Sequence, residues 1–154
     1  MSINTGPVPL RCWWAPTRNA KPATRAVIVL PEIFGLNRWV RGVADRLSAA
    51  GVPALAMPLF ARIAPELELG YDSESTSEGR RHKEATRTEG ILADVQASID
   101  WLRQALESRD QPLRITVVGF CFGGHAALLA ATLSDVHVSL DFYGAGVSLG
   151  RPGG

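Results

Sequence analysis

The chain has 154 residues, 46% hydrophobic and 20% charged, the balance of one globular rather than disordered chain, and such a length buries about 68–70% of its unfolded surface without metal or disulfide staples. Sixteen Lys and Arg against fifteen Asp and Glu leave a net charge of +1, and with no basic stripe this argues against a nucleic-acid partner. Cys12 and Cys121 form neither a disulfide framework nor a metal pattern, which points to a reducing, cytoplasmic compartment. The opening residues lack a signal-peptide pattern, and the most apolar stretch, 115–131, holds three glycines and His125, which excludes a membrane span.

The first strand is expected over Ala26–Leu30, a β-branched run apolar at every position, as in a parallel sheet covered on both faces. A short loop, Glu32 to Leu36, leads to Asn37 as the N-cap of a helix carrying Val40, Val43 and Leu47 on one side, with Gly51 as its stop. Val52–Ala56 reads as the second strand. From Pro58 to Ser77 the pattern weakens to a polar loop. A helix with the stripe Ile91, Val95, Ile99, Leu102 and Leu106 follows, beginning near Ser77 or only after Gly90. The basic cluster Arg80, Arg81, His82, Lys83 runs straight into Glu84 and reads as a solvated helix face. Arg114–Val118 is the next strand, 123–133 a helix and Val136–Phe142 the last strand, while residues 8–14 can add an antiparallel edge. Strand and helix alternate throughout, so the expected fold is α/β: a doubly wound, mostly parallel sheet in a three-layer α/β/α arrangement, residues 1–154 forming one domain.

Gly119-Phe-Cys-Phe-Gly-Gly-His125 follows a strand and opens a helix. That is the setting of a nucleophile elbow, where a tight turn projects the nucleophile and the positions two before and two after it can carry no bulky Cβ. Here those positions are Gly119 and Gly123, with Cys121 between them at a helix N-terminus, where free N–H groups favour a thiolate. The N–H of Phe122 is placed to donate to an oxyanion. The bland alternative is a buried cysteine whose glycines serve only helix–sheet packing. Glu32 stands just beyond the C-terminal end of a central strand, where doubly wound sheets place their sites; its alternative is a solvated loop glutamate.

Together, Pro31-Glu-Ile-Phe-Gly35, Leu59-Phe-Ala-Arg62, Gly119-Phe-Cys-Phe-Gly-Gly124 and Phe142-Tyr-Gly144 resemble the dienelactone hydrolase family over about residues 20–147. The resemblance implies an α/β-hydrolase fold and cofactor-free, metal-free hydrolysis of a small ester or lactone by a cysteine nucleophile. It further implies that Glu32 contacts the resting thiol and helps form the thiolate, that Ile33 supplies the second oxyanion N–H, and that Arg80 or Arg81 binds a substrate carboxylate.

In this fold the nucleophile is followed by an acid and then a histidine. Of the later residues, His125 is expected to cap or pack, His137 to lie in the core or on a sheet face, Asp135 in a helix-end loop, and Asp141 near the C-terminal end of its strand, where a catalytic role is conceivable. The resemblance places the family's acid and histidine after two later strands, so the chain reads as the first two-thirds of such a hydrolase. Three readings follow: a cysteine hydrolase or its fragment, a non-catalytic remnant that binds a ligand or partner, and, more weakly, a thiol redox protein lacking a second cysteine nearby. Without later strands, 136–142 becomes an open edge through which the chain is expected to self-associate.

Overall fold

The computed structural model describes residues 1–4, 8–18, 22–150 and 152. In chain order it contains β1 (Ser2–Ile3), β2 (Leu10–Arg11), β3 (Trp13–Ala15), β4 (Arg25–Leu30), α1 (Arg38–Ala49), β5 (Ala54–Ala56), α2 (Ser73–Ala85), α3 (Thr88–Leu106), β6 (Arg114–Phe120), α4 (Phe122–Ala130) and β7 (Val136–Phe142). Five strands form one sheet in the order β3-β5-β4-β6-β7, parallel except for β3, which runs antiparallel to β5. β1 and β2 form a separate antiparallel ribbon. The N-terminal edge expected over 8–14 is therefore divided between two sheets.

The unbroken apolar run of β4 has the expected consequence. Val27 and Val29 pack with Ala54, Ala56 and Val118 beneath Val40 and Ala44 of α1. On the opposite face Ala26, Ile28 and Leu30 join Leu55, Ile115 and Val117 beneath Ile91, Val95, Ile99 and Leu102 of α3 and Phe122, Ala126 and Ala130 of α4. This is the three-layer, doubly wound arrangement, and each large aliphatic it buries contributes about 1.5–3 kcal/mol. Among the described residues no helix is long and apolar enough to cross a membrane.

Local departures from the sequence reading have physical causes. β5 starts at Ala54, not Val52, because the Val52 N–H bonds the Leu47 carbonyl and closes the end of α1, where Gly51 takes φ 89°. Two helices stand where one was expected. α2 begins before Ser77 because the Asp72 carboxylate caps it through the N–H and Oγ of Ser75, and extended backbone at Thr86 and Arg87 separates it from α3. Gly79 is the one described residue of α2 buried in full, so no apolar stripe announces that helix. α4 closes at Ala130 in successive turns rather than at Leu133.

β7 is the sheet edge. Its Ser139 side packs on α4, donating from Oγ to the Ala127 carbonyl, whereas Val138, Leu140 and Phe142 stand exposed on the side of α1. His137 is not in the core. It is the extra residue of a bulge opposite Ile115, exposed, with Nδ1 accepting the Ile115 N–H at 3.2 Å.

Candidate functional site

β4 and β6 are adjacent and in register, Leu30 opposite Gly119, so the residues that follow them meet at one end of the sheet. Cys121 occupies the turn between β6 and α4 at φ 54°, ψ −118°, a conformation costing about 1–3 kcal/mol for a residue with a side chain. Neighbouring backbone holds it there. The Cys121 N–H donates to the Phe142 carbonyl at 3.0 Å, and the Cys121 carbonyl accepts from Gly124 at 3.0 Å and Ala145 at 2.9 Å. The two flanking glycines are sterically required: a Cβ on Gly119 would overlap the Gly123 carbonyl, and one on Gly123 would overlap the Leu30 and Pro31 carbonyls. The helix N-terminus thus lies hard against the end of β4.

Electrostatics set the state of the thiol. Burial pushes the Cys121 pKa above its ordinary value of 9.0; the Phe122 N–H lowers it, the Glu32 charge raises it and the Lys83 charge lowers it. Desolvation outweighs the helix terminus, so the resting group is a neutral thiol, not the thiolate that its place at the helix start suggests. Nor does the thiol hydrogen-bond to Glu32. The Glu32 carboxylate accepts instead from Tyr143 Oη on Oε1 and Tyr71 Oη on Oε2, each at 3.3 Å. Tyr71 in turn accepts from Asn37 Nδ2 at 3.1 Å, while Asn37 Oδ1 caps α1. Burial, and then the Glu32 charge, push Tyr143 up to about 12; burial likewise raises Tyr71. Both phenols therefore remain donors.

Ile33, next to Glu32, is buried, and its carbonyl and side chain pack on Gly79 of α2. Arg80 and Arg81 are exposed, and of the basic cluster it is Lys83 whose charge reaches the thiol, its Nζ lying 5.8 Å from the Phe122 ring centroid. His82 lies beside Phe60 and Glu78. His125 is buried, as expected of a packing residue. Asp135 ties the start of β7 to Gln96 and Arg103 of α3. Asp141 packs its carboxylate on Gly124 and Gly144; the His125 N–H donates to the Cys121 carbonyl at 3.3 Å, but neither the Asp141 carboxylate nor any described imidazole hydrogen-bonds to Cys121. Among the described residues no group of three His, Cys, Asp or Glu side chains could hold a metal ion. Sequence reasoning missed Tyr71, Asn37 and Lys83. Tyr71, the one tyrosine in the polar stretch 58–77, was the available signal; Tyr143 lay unused inside the Phe142-Tyr-Gly144 motif.

Comparison with known proteins places this arrangement. The dienelactone hydrolase family model matches residues 14–152. A Synechocystis sp. protein, provisionally named a carboxymethylenebutenolidase, is 38% identical over 82% of this chain and 51% of its own. The carboxymethylenebutenolidase of Pseudomonas putida is 29% identical over 83% of this chain and 53% of its own. The crystal structure of a provisionally named dienelactone hydrolase from Klebsiella pneumoniae superposes with a TM-score of 0.77 at 25% identity, covering 94% of this chain and 58% of that one. The chain spans about half the length of the curated relatives it matches. A family model matched from the third strand to the last residues, a 38% identical relative and a shared α/β-hydrolase sheet lead to one assignment: the chain belongs to the dienelactone hydrolase family.

Proposed function

We propose that this chain carries the nucleophile half of a cysteine-dependent hydrolase acting on small carboxylic esters or lactones, without cofactor, metal or nucleic acid, in a reducing cytoplasm. The observation that carries the reading is Cys121 held at φ 54° between two glycines that admit no side chain. In this reading the Cys121 thiolate attacks the substrate carbonyl, a C–S bond forms, and the oxygen leaving group departs with a proton. The N–H groups of Phe122 and Ile33 stabilise the oxyanion. Glu32, released from Tyr71 and Tyr143, takes the thiol proton, and water then cleaves the thioester.

A raised thiol pKa and the lack of an imidazole hydrogen-bonded to the thiol favour weak turnover in this chain, because an oriented acid–base group is worth about 10²–10⁴-fold. The test is p-nitrophenyl acetate with the intact chain and with Cys121→Ala, followed by mass spectrometry of the acylated protein. A slow, Cys121-dependent burst with acetyl on Cys121 is expected. Equal phenolate release by both proteins, or no acylation of Cys121, overturns the hydrolase reading in favour of a ligand-binding remnant.

A further inference from the structure

Below the nucleophile turn lies a second polar feature that the hydrolase reading does not use. The His125 imidazole, one helical turn past Cys121, is only 4% exposed, and its Nδ1 has no hydrogen-bond partner. Buried ring nitrogens are normally satisfied, so an orphan of this kind asks what belongs beside it. It lines a cavity of about 220 Å³ with Lys83, Glu84, Gly146 and Leu149. Gly146 adopts φ 91°, and the point its missing Cβ would occupy lies 3.3 Å from Lys83 Nζ and 3.5 Å from His125 Nδ1. Two donors therefore flank Gly146: an ammonium, and, enclosed behind it, an imidazole free to carry its proton on Nδ1. Both nitrogens lie within 3.5 Å of that one point, so a single small oxyanion beside Gly146 can be reached by the two together. Exposure grades the lining, with His125 innermost, Lys83 half-buried and the acidic Glu84 exposed at the rim. The inner end is thus cationic and the outer end negative.

We propose that Lys83 and His125 hold a small oxyanion, a carboxylate or inorganic phosphate, in this cavity behind the nucleophile. The site is separate from the N–H groups assigned above to the ester carbonyl, and it stands whether or not the chain hydrolyses esters. It is coupled to the nucleophile through Lys83. A bound anion offsets the ammonium whose charge favours the Cys121 thiolate, so occupancy makes Cys121 less acidic and slower to alkylate.

The test follows the imidazole signals by NMR as sodium acetate or sodium phosphate is added at constant ionic strength, with chloride as the third arm. His125 is assigned through His125→Gln. The expected result is a saturable shift of the His125 signal with acetate, phosphate or both, none with chloride, and binding at least about tenfold weaker in Lys83→Met. The arm that saturates at lower concentration identifies the source, carboxylate or phosphate. Lys83 is half-buried in the last turn of a helix, so this variant is expected to fold, and an unchanged signal from the distant His137 with an unchanged circular dichroism spectrum reports that it has. A shift equal to that produced by chloride, no saturation by tens of millimolar, or undiminished binding in Lys83→Met overturns the proposal.

Discussion

Replacing Gly123 with alanine tests the contact that builds the nucleophile turn. The added Cβ would stand 2.7 Å from the Leu30 carbonyl carbon and closer still to the carbonyl oxygens of Leu30 and Pro31. Ordinary contacts begin at 3.4 Å, and every atom it meets is backbone at the end of the central strand, so no side chain can turn aside and α4 itself must retreat by about 1 Å. Overpacking of this kind costs about 1–3 kcal/mol where side chains can yield. With none able to yield, we expect the upper end, about 3 kcal/mol, which for a chain of this size lowers Tm by roughly 6–12 °C. Gly42→Ala is the control. Gly42 lies in α1, a Cβ there meets only the end of the Arg46 side chain at 3.4 Å, and removing a helical glycine gains about 0.5–1 kcal/mol. Both variants are melted by circular dichroism, and Cys121 alkylation is timed in each. A Gly123→Ala protein that melts with the wild type and alkylates at the same rate would refute the close approach of α4 to β4.

Cys121 alkylation by iodoacetamide is expected to keep rising with pH beyond 9.0, the ordinary thiol pKa, and Glu32→Gln is expected to move the profile to lower pH by removing the charge that raises it; an unmoved profile separates Glu32 from the thiol. Arg62 Nη2 lies 2.6 Å from Oδ1 of Asp94, whose side chain is 4% exposed, while that of Arg62 is 38% exposed. Arg62→Met should cost about 2 kcal/mol, less than the ~3–5 of a fully buried pair. Burial raises the Asp94 pKa, opposed by Arg62, and a raised carboxyl pKa favours the fold at low pH, an advantage lost as the pH rises through that pKa. The Arg62→Met deficit measured by urea denaturation should therefore be largest at neutral pH and shrink on acidification. At tens of micromolar the chain should self-associate in sedimentation and Leu140→Lys should reduce this, because Leu140 is exposed at the centre of an unpaired edge; identical sedimentation of the two proteins excludes that face.

The parts of the fold legible in the sequence are those that repeat along the chain. The apolar run of β4 and the helical stripe of α3 are periodic, and periodicity survives without coordinates. The elbow was legible because its steric demand falls on two fixed positions, Gly119 and Gly123. α2 was legible only in its second half, where residues 80–83 read as a solvated helix face; its start and its separation from α3 were not, since it buries Gly79 and otherwise offers a polar surface without an apolar stripe. The partners of Glu32 were illegible for another reason. Tyr71 and Tyr143 come from segments far apart in sequence and meet only when the sheet forms. A resting thiol beside Glu32 was the expectation, and the raised pKa agrees with it; the expected thiol–carboxylate hydrogen bond is absent because Tyr71 and Tyr143 occupy the Glu32 oxygens.

The bond from the Ile115 N–H to the His137 ring has a consequence for the phase of the last strand. The first rung joining β6 to β7 is closed by a side chain, so the alternation of everything beyond it is set by one imidazole rather than by the ladder alone. Sliding β7 by a single residue would exchange its two faces, sending Val138, Leu140 and Phe142 under α4 and turning Ser139 and Asp141 outward. His137 acts as the detent against that slip. It does so beside the Asp135 ties to α3 and the Ser139 bond to α4, and a histidine expected in the core or on a sheet face serves here as the marker from which the strand is numbered.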